Sequence, residues 1–308
     1  MTKASVFLRF LGGLAIGLAV LLVLLLRVTS CAPLHPRAEL TPAGPSFVAT
    51  APVDTSRADC RAGGWTAAAE RNAGSVGALP WAPFGRDEVG WEVYVPLIQH
   101  EIGTGCPAGS EVFAAALSAW GKARNLPADG IFSETLFSEL KAAVQGRREF
   151  IRLTAGGTCP DGTNDVVQAG YREGYSGKPI LIRPAALVAY RNMVAAAKAE
   201  VPAIAADPNN LTIFSGYRSP AADAQRCREE GNCNGIVRAR CSAHRTGLAL
   251  DVYVGQAPGY GPDSSADPNR LYMTTTPTYR WLVANASRFG FANYPFEPWH
   301  WEWTGEAP

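Results

Sequence analysis

The stretch Cys241-Ser242-Ala243-His244-Arg245-Thr246-Gly247-Leu248-Ala249-Leu250-Asp251-Val252-Tyr253-Val254 begins as a polar loop and ends as a strand. Leu248, Leu250 and Val252 alternate with Ala249, Asp251 and Tyr253, and this period of two predicts a β-strand from Gly247 to Val254. Asp251 is the informative residue in it. A carboxylate on an otherwise apolar strand is costly to bury without a partner, and a cation is an adequate partner. His244 lies seven positions upstream, in the loop before Gly247 lets the backbone turn, so both side chains can face one point.

Working outward, the next stretch of this kind is Glu297-Pro298-Trp299-His300. Pro298 holds the backbone extended, and Trp299 and Trp301 flank the imidazole with apolar surface. The chain has four histidines, His35, His100, His244 and His300, and two of them fall in these stretches. Together they supply two imidazoles and two carboxylates. A catalytic zinc ion commonly takes three protein ligands from His, Asp and Glu and keeps a position open for water. A further carboxylate nearby can remove a proton from that water. Either stretch alone reads equally well as a core histidine beside a surface acid; their joint presence favours the metal reading.

The surrounding pattern mixes helices and strands. Leu211-Thr212-Ile213-Phe214 is strand-like and leads into Ser215-Gly216-Tyr217-Arg218-Ser219-Pro220. Ser219 can cap a helix that has Pro220 at its first position and runs towards Glu230. An Ala-rich pattern predicts one long amphipathic helix from Pro184 to about Ala206, and Thr276-Pro277 starts another that ends before Gly290. The tail alternates again from Phe291 to Trp303. Strands separated irregularly by helices, without a βαβ rhythm, predict an α+β fold with an antiparallel sheet and flanking helices over residues 149–308.

Upstream, residues 81–148 carry a helical pattern. Val112, Phe113, Ala116, Leu117 and Trp120 recur at spacings of three and four. Asp129-Gly130 marks a tight turn, and Ser133 is placed to cap a last helix through Leu140 and Val144. At Asp129-Gly130-Ile131-Phe132 and Thr135 this segment resembles the peptidoglycan-binding helical repeat of bacterial wall enzymes; a helical spacer without ligand is the alternative. Residues 32–80, rich in Pro, Ala, Gly, Ser and Thr, read as a linker, ordered at most around Trp65.

The net charge is +1, from 28 basic and 27 acidic side chains, with no dense basic run, so nothing points to nucleic acid. Lys3 and Arg9 precede an uninterrupted apolar run from Phe10 to Leu26, which Arg27 closes. The run lies between a secretory signal and a membrane span in length, and the basic flank places the rest of the chain outside the membrane. Val28-Thr29-Ser30-Cys31 resembles a lipoprotein signal. Residues 1–31 are thus expected to be a signal or membrane anchor, cleaved and lipidated at Cys31 or left uncleaved.

Setting Cys31 aside leaves Cys60, Cys106, Cys159, Cys227, Cys233 and Cys241, an even set expected to be oxidised in an exported protein. If pairs stay within domains, Cys60 joins Cys106. The other four permit several arrangements, of which Cys227–Cys233 closes the shortest loop. A structural zinc site built on cysteine is disfavoured, since no Cys-x-x-Cys occurs.

Ser-Gly-Tyr-Arg at 215–218, Ser-x-His-x-x-Gly-x-Ala-x-Asp at 242–251 and Glu-x-Trp-His at 297–300 occur in this order. In these motifs residues 150–308 resemble the D-alanyl-D-alanine carboxypeptidases of the VanY type, within the lysostaphin/D-Ala-D-Ala/hedgehog group of zinc peptidases. The resemblance implies that His244, Asp251 and His300 bind Zn2+, that Glu297 is general base and then acid, and that Arg218 stabilises the developing oxyanion. It implies pocket-shaping roles for Tyr217 and Ser242. The Gln that follows the Arg in many relatives corresponds to Gln225, here after the interval Pro220–Ala224. The implied activity is hydrolysis of peptidoglycan stem peptides, most directly as a D,D-carboxypeptidase. An L,D-carboxypeptidase or endopeptidase on the same scaffold, and a non-catalytic wall-binding module, are the alternatives. A serine peptidase is disfavoured, because Ser242 beside His244 forms no evident triad.

Overall fold

The computed structural model describes residues 59–61, 63–229 and 241–305. The apolar run Phe10–Leu26, Cys31, most of the predicted linker and much of the Cys227–Cys241 insertion lie outside these residues. The helices are α1 (Thr66–Ser75), α2 (Val95–Ile102), α3 (Glu111–Lys122), α4 (Glu134–Gln145), α5 (Glu149–Leu153), α6 (Pro184–Glu200), α7 (Pro202–Ala206), α8 (Pro220–Glu229), α9 (Asp267–Thr275) and α10 (Pro277–Asn285). The strands are β1 (Pro80–Trp81), β2 (Glu88–Val89), β3 (Val167–Gln168), β4 (Leu181–Ile182), β5 (Ile213–Ser215), β6 (Ala249–Val252), β7 (Phe291–Asn293) and β8 (His300–Trp303). Among the described residues no helix is long and apolar enough to cross a membrane.

The fold is α+β, with an antiparallel sheet in the order β5-β6-β8-β7 and two short antiparallel ribbons, β1-β2 and β3-β4. The predicted strand Gly247–Val254 contributes its centre, β6. Its alternation sorts the two faces of the sheet. Leu250 and Val252, with Trp301 and Trp303 of β8, join the main core with Leu187, Tyr190 and Met193 of α6 and Tyr279 and Leu282 of α10. Ala249 belongs instead to a small cluster with Phe150, Cys241 and Ala243. The face bearing Ala249 also bears Asp251, His300 and Glu302.

The long helix predicted from Pro184 to Ala206 is two helices. Pro202 disfavours helical geometry at the residue before it, and Val201 is extended (φ −129°, ψ 101°), which separates α6 from α7.

The N-terminal helices enclose a second core. Phe113, Leu117 and Trp120 of α3 and Leu136, Phe137, Leu140 and Val144 of α4 pack around Trp81, Trp91 and Tyr94. Ser110 and Ser133 cap these helices, accepting from Phe113 N and Leu136 N. Helix α1 lies within the stretch whose composition predicts a linker. Its buried face is Ala68, Ala69 and Asn72, too small to register as apolar periodicity, and the tertiary structure holds it in place. Glu111 accepts from Gly64 N, Trp65 N and the Thr66 hydroxyl at its start. Asn72 clamps the Asp-Gly turn, donating to Gly130 O at 2.9 Å and accepting from Phe132 N at 2.7 Å. Gly130 has φ +72°, and a Cβ there would lie 2.7 Å from Ala114 O.

Cys60 pairs with Cys106, as expected, and so ties residues before α1 to the helical part. Cys159 pairs with Cys241, and Cys227 is also disulfide-bonded. The helical part and the sheet fall in one compact unit, Ala51–Pro308, and buried polar contacts join them. Arg270 of α9 reaches Glu88 at 3.1 Å and the Tyr94 hydroxyl at 2.6 Å, and Arg148 reaches Glu302 at 2.6 Å.

Candidate metal centre

Sheet register brings the first two candidate ligands together. Asp251 of β6 and His300 of β8 are direct cross-strand partners, on the face turned away from the main core. His300 Nδ1 lies 2.8 Å from Asp251 Oδ1. The third arrives from a short 3-10 turn, Ala243–Thr246. Ser242 caps that turn by accepting from His244 N, and Gly247 ends it in the left-handed region (φ +68°). His244 Nε2 then lies 3.1 Å from Asp251 Oδ2. Ligand atoms of His244, Asp251 and His300 all fall within 4.8 Å of one another, and all three residues are buried.

The remaining ring nitrogens show how each imidazole is oriented. His244 Nδ1–H donates to the Gly216 carbonyl at 2.8 Å, leaving Nε2 for the cluster. His300 Nε2–H donates to Glu302 Oε1 at 3.2 Å, leaving Nδ1. Each proton is assigned from an oxygen that can only accept. Such outer partners hold metal-ligating histidines in one tautomer and orientation.

The donor set fits a zinc ion. Tetrahedral ligands about 2.0–2.1 Å from zinc stand roughly 3.3 Å apart, close to the spacings between Asp251 and the two imidazoles. His300 Nδ1 faces an Asp251 oxygen that can likewise only accept, which favours the protonated ring in metal-free protein. Burial alone would lower the pKa of His300, but hydrogen bonds and attraction to Asp251 and Glu302 outweigh it and raise it to about 9. Burial would raise the Asp251 carboxyl, but the two imidazoles hold it well below the usual carboxylate range.

These shifts predict a pH signature for metal-free protein. An imidazole in the unfolded chain titrates near 6.5, so the stability contributed by protonated His300 is full below that and is lost as the pH rises through about 9. Burial raises the Glu302 carboxyl, but Arg148 and His300 bring it down to about 2 from an ordinary 4.5. Its contribution is therefore complete above about pH 4.5 and is lost as the pH falls towards 2. Thermal melts of chelator-treated protein should fall between pH 6.5 and 9 and recover when zinc is added, because metal binding and proton release are linked. A metal-free melting temperature that is flat over that range would contradict the assignment.

Glu297 stands at the mouth of this cluster, its side chain 32% exposed and Oε2 3.9 Å from His300 Nδ1. A tight loop places it there. Glu297 N donates to Tyr294 O, His300 N donates to Glu297 O, and the Asn293 amide donates to the carbonyls of Glu297 and His300. Burial raises the Glu297 carboxyl and the charge of Asp251 adds to this, against His300, His244 and Arg148.

Arg218 follows β5 and lines the same cleft. Its guanidinium donates to the hydroxyls of Ser242 (3.4 Å) and Ser215 (3.3 Å) and lies 3.5 Å from Asp223. Tyr217 also lines the cleft, and Ser242 acts there as cap and as Arg218 partner. Gln225 is not brought to the site: it is exposed on α8 and its amide donates to Glu229 at 2.7 Å.

The cleft encloses about 1380 Å³, and Phe84, Arg86, Gln145 and Arg148 of the helical part form one wall of it. Sequence reasoning missed three residues of the centre. Asp223, on α8, accepts from Ser242 N (3.1 Å) and Arg245 Nε (2.8 Å) and so ties that helix to the His244 turn. Glu302 carried a usable signal, because it follows His300 by two on an alternating strand and so shares its face. Arg148, 154 residues from Glu302, carried none.

Residues 179–306, about two-fifths of the chain, match the family described as VanY: D-alanyl-D-alanine carboxypeptidase. Among solved structures the chain is similar to one described as "Structure of the LdcB LD-carboxypeptidase reveals the molecular basis of peptidoglycan recognition". The identity is 24%, over 47% of this chain and 70% of that chain, with a TM-score of 0.34. No curated protein matches. The resemblance read in the motifs thus holds for the C-terminal part of the chain, and the three candidate ligands, Glu297 and Arg218 all lie within the matched residues.

Proposed function

We propose that this protein is a zinc-dependent carboxypeptidase of peptidoglycan stem peptides, acting on a terminal D-alanyl-D-alanine. The observation that carries this reading is the convergence of His244, Asp251 and His300 beside Glu297, all four within the VanY-matched residues. Disulfides in the helical part and beside the site accord with an exported protein. The basic-flanked apolar run at Phe10–Leu26 supports tethering to the envelope.

His244, Asp251 and His300 would hold the ion, which supplies Lewis acidity that acidifies water and polarises a carbonyl. Glu297 then accepts the water proton on a carboxylate oxygen and later delivers a proton to the leaving amine. Its exposure towards the cleft suits that exchange better than the enclosed position of Asp251. Arg218, fixed by two serine hydroxyls and Asp223, is preorganised to face the negative charge that develops on the carbonyl oxygen. Lys178, Arg218 and Arg245 along the cleft suit a substrate that ends in a free carboxylate.

The test is digestion of purified muropeptides by the full chain in detergent, read by mass spectrometry beside metal analysis. Loss of one alanine from pentapeptides, abolished by chelator and restored by zinc, is the expected result. Alanine lost from tetrapeptides alone would move the specificity to L,D. Zinc bound with no change in any stem peptide would overturn the enzymatic reading in favour of a binding module.

A further inference from the structure

Arg148 and Glu302 make a buried ion pair between the end of the helical part and the site face of the sheet. Their side chains are 6% and 2% exposed. Glu302 Oε1 accepts from Arg148 Nε at 2.8 Å and from His300 Nε2 at 3.2 Å, and Oε2 accepts from Phe150 N at 2.8 Å. Arg148 is itself held from two sides. It donates to Gln145 Oε1, at the end of α4, and its guanidinium lies 4.3 Å from the ring centre of Tyr294, in the loop that carries Glu297.

The two candidate histidine ligands are thus oriented by different devices. His244 leans on a backbone carbonyl, that of Gly216, which lies within the family-matched residues. His300 leans on a side chain two residues away on its own strand face, and that carboxylate is aimed by an arginine from outside the family-matched residues. We infer that Arg148 and Glu302 are a positioning pair through which the helical part fixes the ring of His300 in its metal-binding orientation. Glu302 accepts the hydrogen bond from Nε2–H and leaves Nδ1 directed at the cluster, while Arg148 fixes the rotamer of Glu302. On this view residues 179–306 do not contain a complete metal centre. The inference rests on the zinc reading above but not on the identity of the peptide bond cleaved.

A purely architectural ion pair would behave differently, because replacing both charges by neutral groups of similar size is often tolerated. Two double variants of the full chain separate the cases: Arg148→Met with Glu302→Leu, which removes the acceptor, and Arg148→Met with Glu302→Gln, which keeps a carbonyl for Nε2–H. Zinc affinity is measured by chelator competition, with the Co2+ spectrum as a second probe and thermal melts as the control for folding. The Met/Leu pair should bind zinc about 10- to 100-fold more weakly than the unaltered protein, and the Met/Gln pair should regain part of the loss. Unaltered affinity in both would overturn the proposal.

If neither variant folds, the unaltered zinc-loaded protein decides. Long-range ¹⁵N–¹H correlation should show His300 protonated at Nε2, and a proton on Nδ1 would overturn the proposal. An unaltered protein that takes up no zinc removes both this inference and the reading beneath it. One that binds zinc, shows this tautomer and fails to cut stem peptides removes only the proposed activity.

Discussion

Glu297→Gln is expected to lower kcat on stem peptides by about 10²- to 10⁴-fold and to leave zinc content unchanged. The substitution keeps the shape of the side chain and removes only its capacity to take a proton. Glu297 is separated from the ligand cluster by its exposure and by 3.9 Å to the nearest imidazole nitrogen, so the metal should persist. The loop that carries it is held by backbone and Asn293 hydrogen bonds that do not involve its carboxylate, so the fold should persist as well. Alanine release followed by chromatography, with zinc counted in the same preparation, checks both halves. Near-normal turnover would remove Glu297 from the chemistry; loss of zinc would make it a ligand.

Arg270→Met should destabilise the protein by about 3–5 kcal/mol, as expected when one partner of a buried ion pair is removed. Arg270 is fully buried and binds Glu88 at 3.1 Å, the Tyr94 hydroxyl at 2.6 Å and the Phe296 carbonyl at 2.9 Å. Its guanidinium also stacks 4.2 Å from the ring centre of Phe296. Methionine fills much of the volume but leaves the Glu88 carboxylate buried with no cation. Adding Glu88→Gln should recover a substantial part of the loss, since the uncompensated charge is then gone. Urea denaturation of the single and double variants measures this, and a single variant within about 1 kcal/mol of the unaltered protein would show the site to be wetter than it looks. Because Phe296 precedes Glu297, the single variant should also lose activity at temperatures where it stays folded.

The Arg270 expectation concerns the junction between the helical part and the sheet, which no single stretch of sequence encodes. The strand through Asp251, the caps at Ser133 and Thr276 and the turn at Gly130 were all legible, because each depends on residues within a few positions of one another. The break at Pro202 was missed: the alanine-rich pattern predicted one helix from Pro184 to about Ala206, although proline disfavours helical geometry at the residue before it. Helix α1 was not legible, since its contacts with Glu111 and Gly130 come from residues about 45 to 58 positions away.

By itself the sequence determined the chemical inventory: two imidazoles, a strand-borne aspartate, a glutamate between prolines and an arginine, each in a local setting that sets the direction of its side chain. Period and chirality do that work, so His300 and Glu302 must share a strand face whatever else the chain does. Tertiary structure decided who meets whom. Strand register set Asp251 against His300, a backbone carbonyl at Gly216 selected the free nitrogen of His244, and packing of the helical part delivered Arg148 to Glu302. The reason is physical: local geometry fixes the direction of a side chain, whereas a contact between distant residues depends on which apolar faces are buried together, and no short window of sequence contains that information.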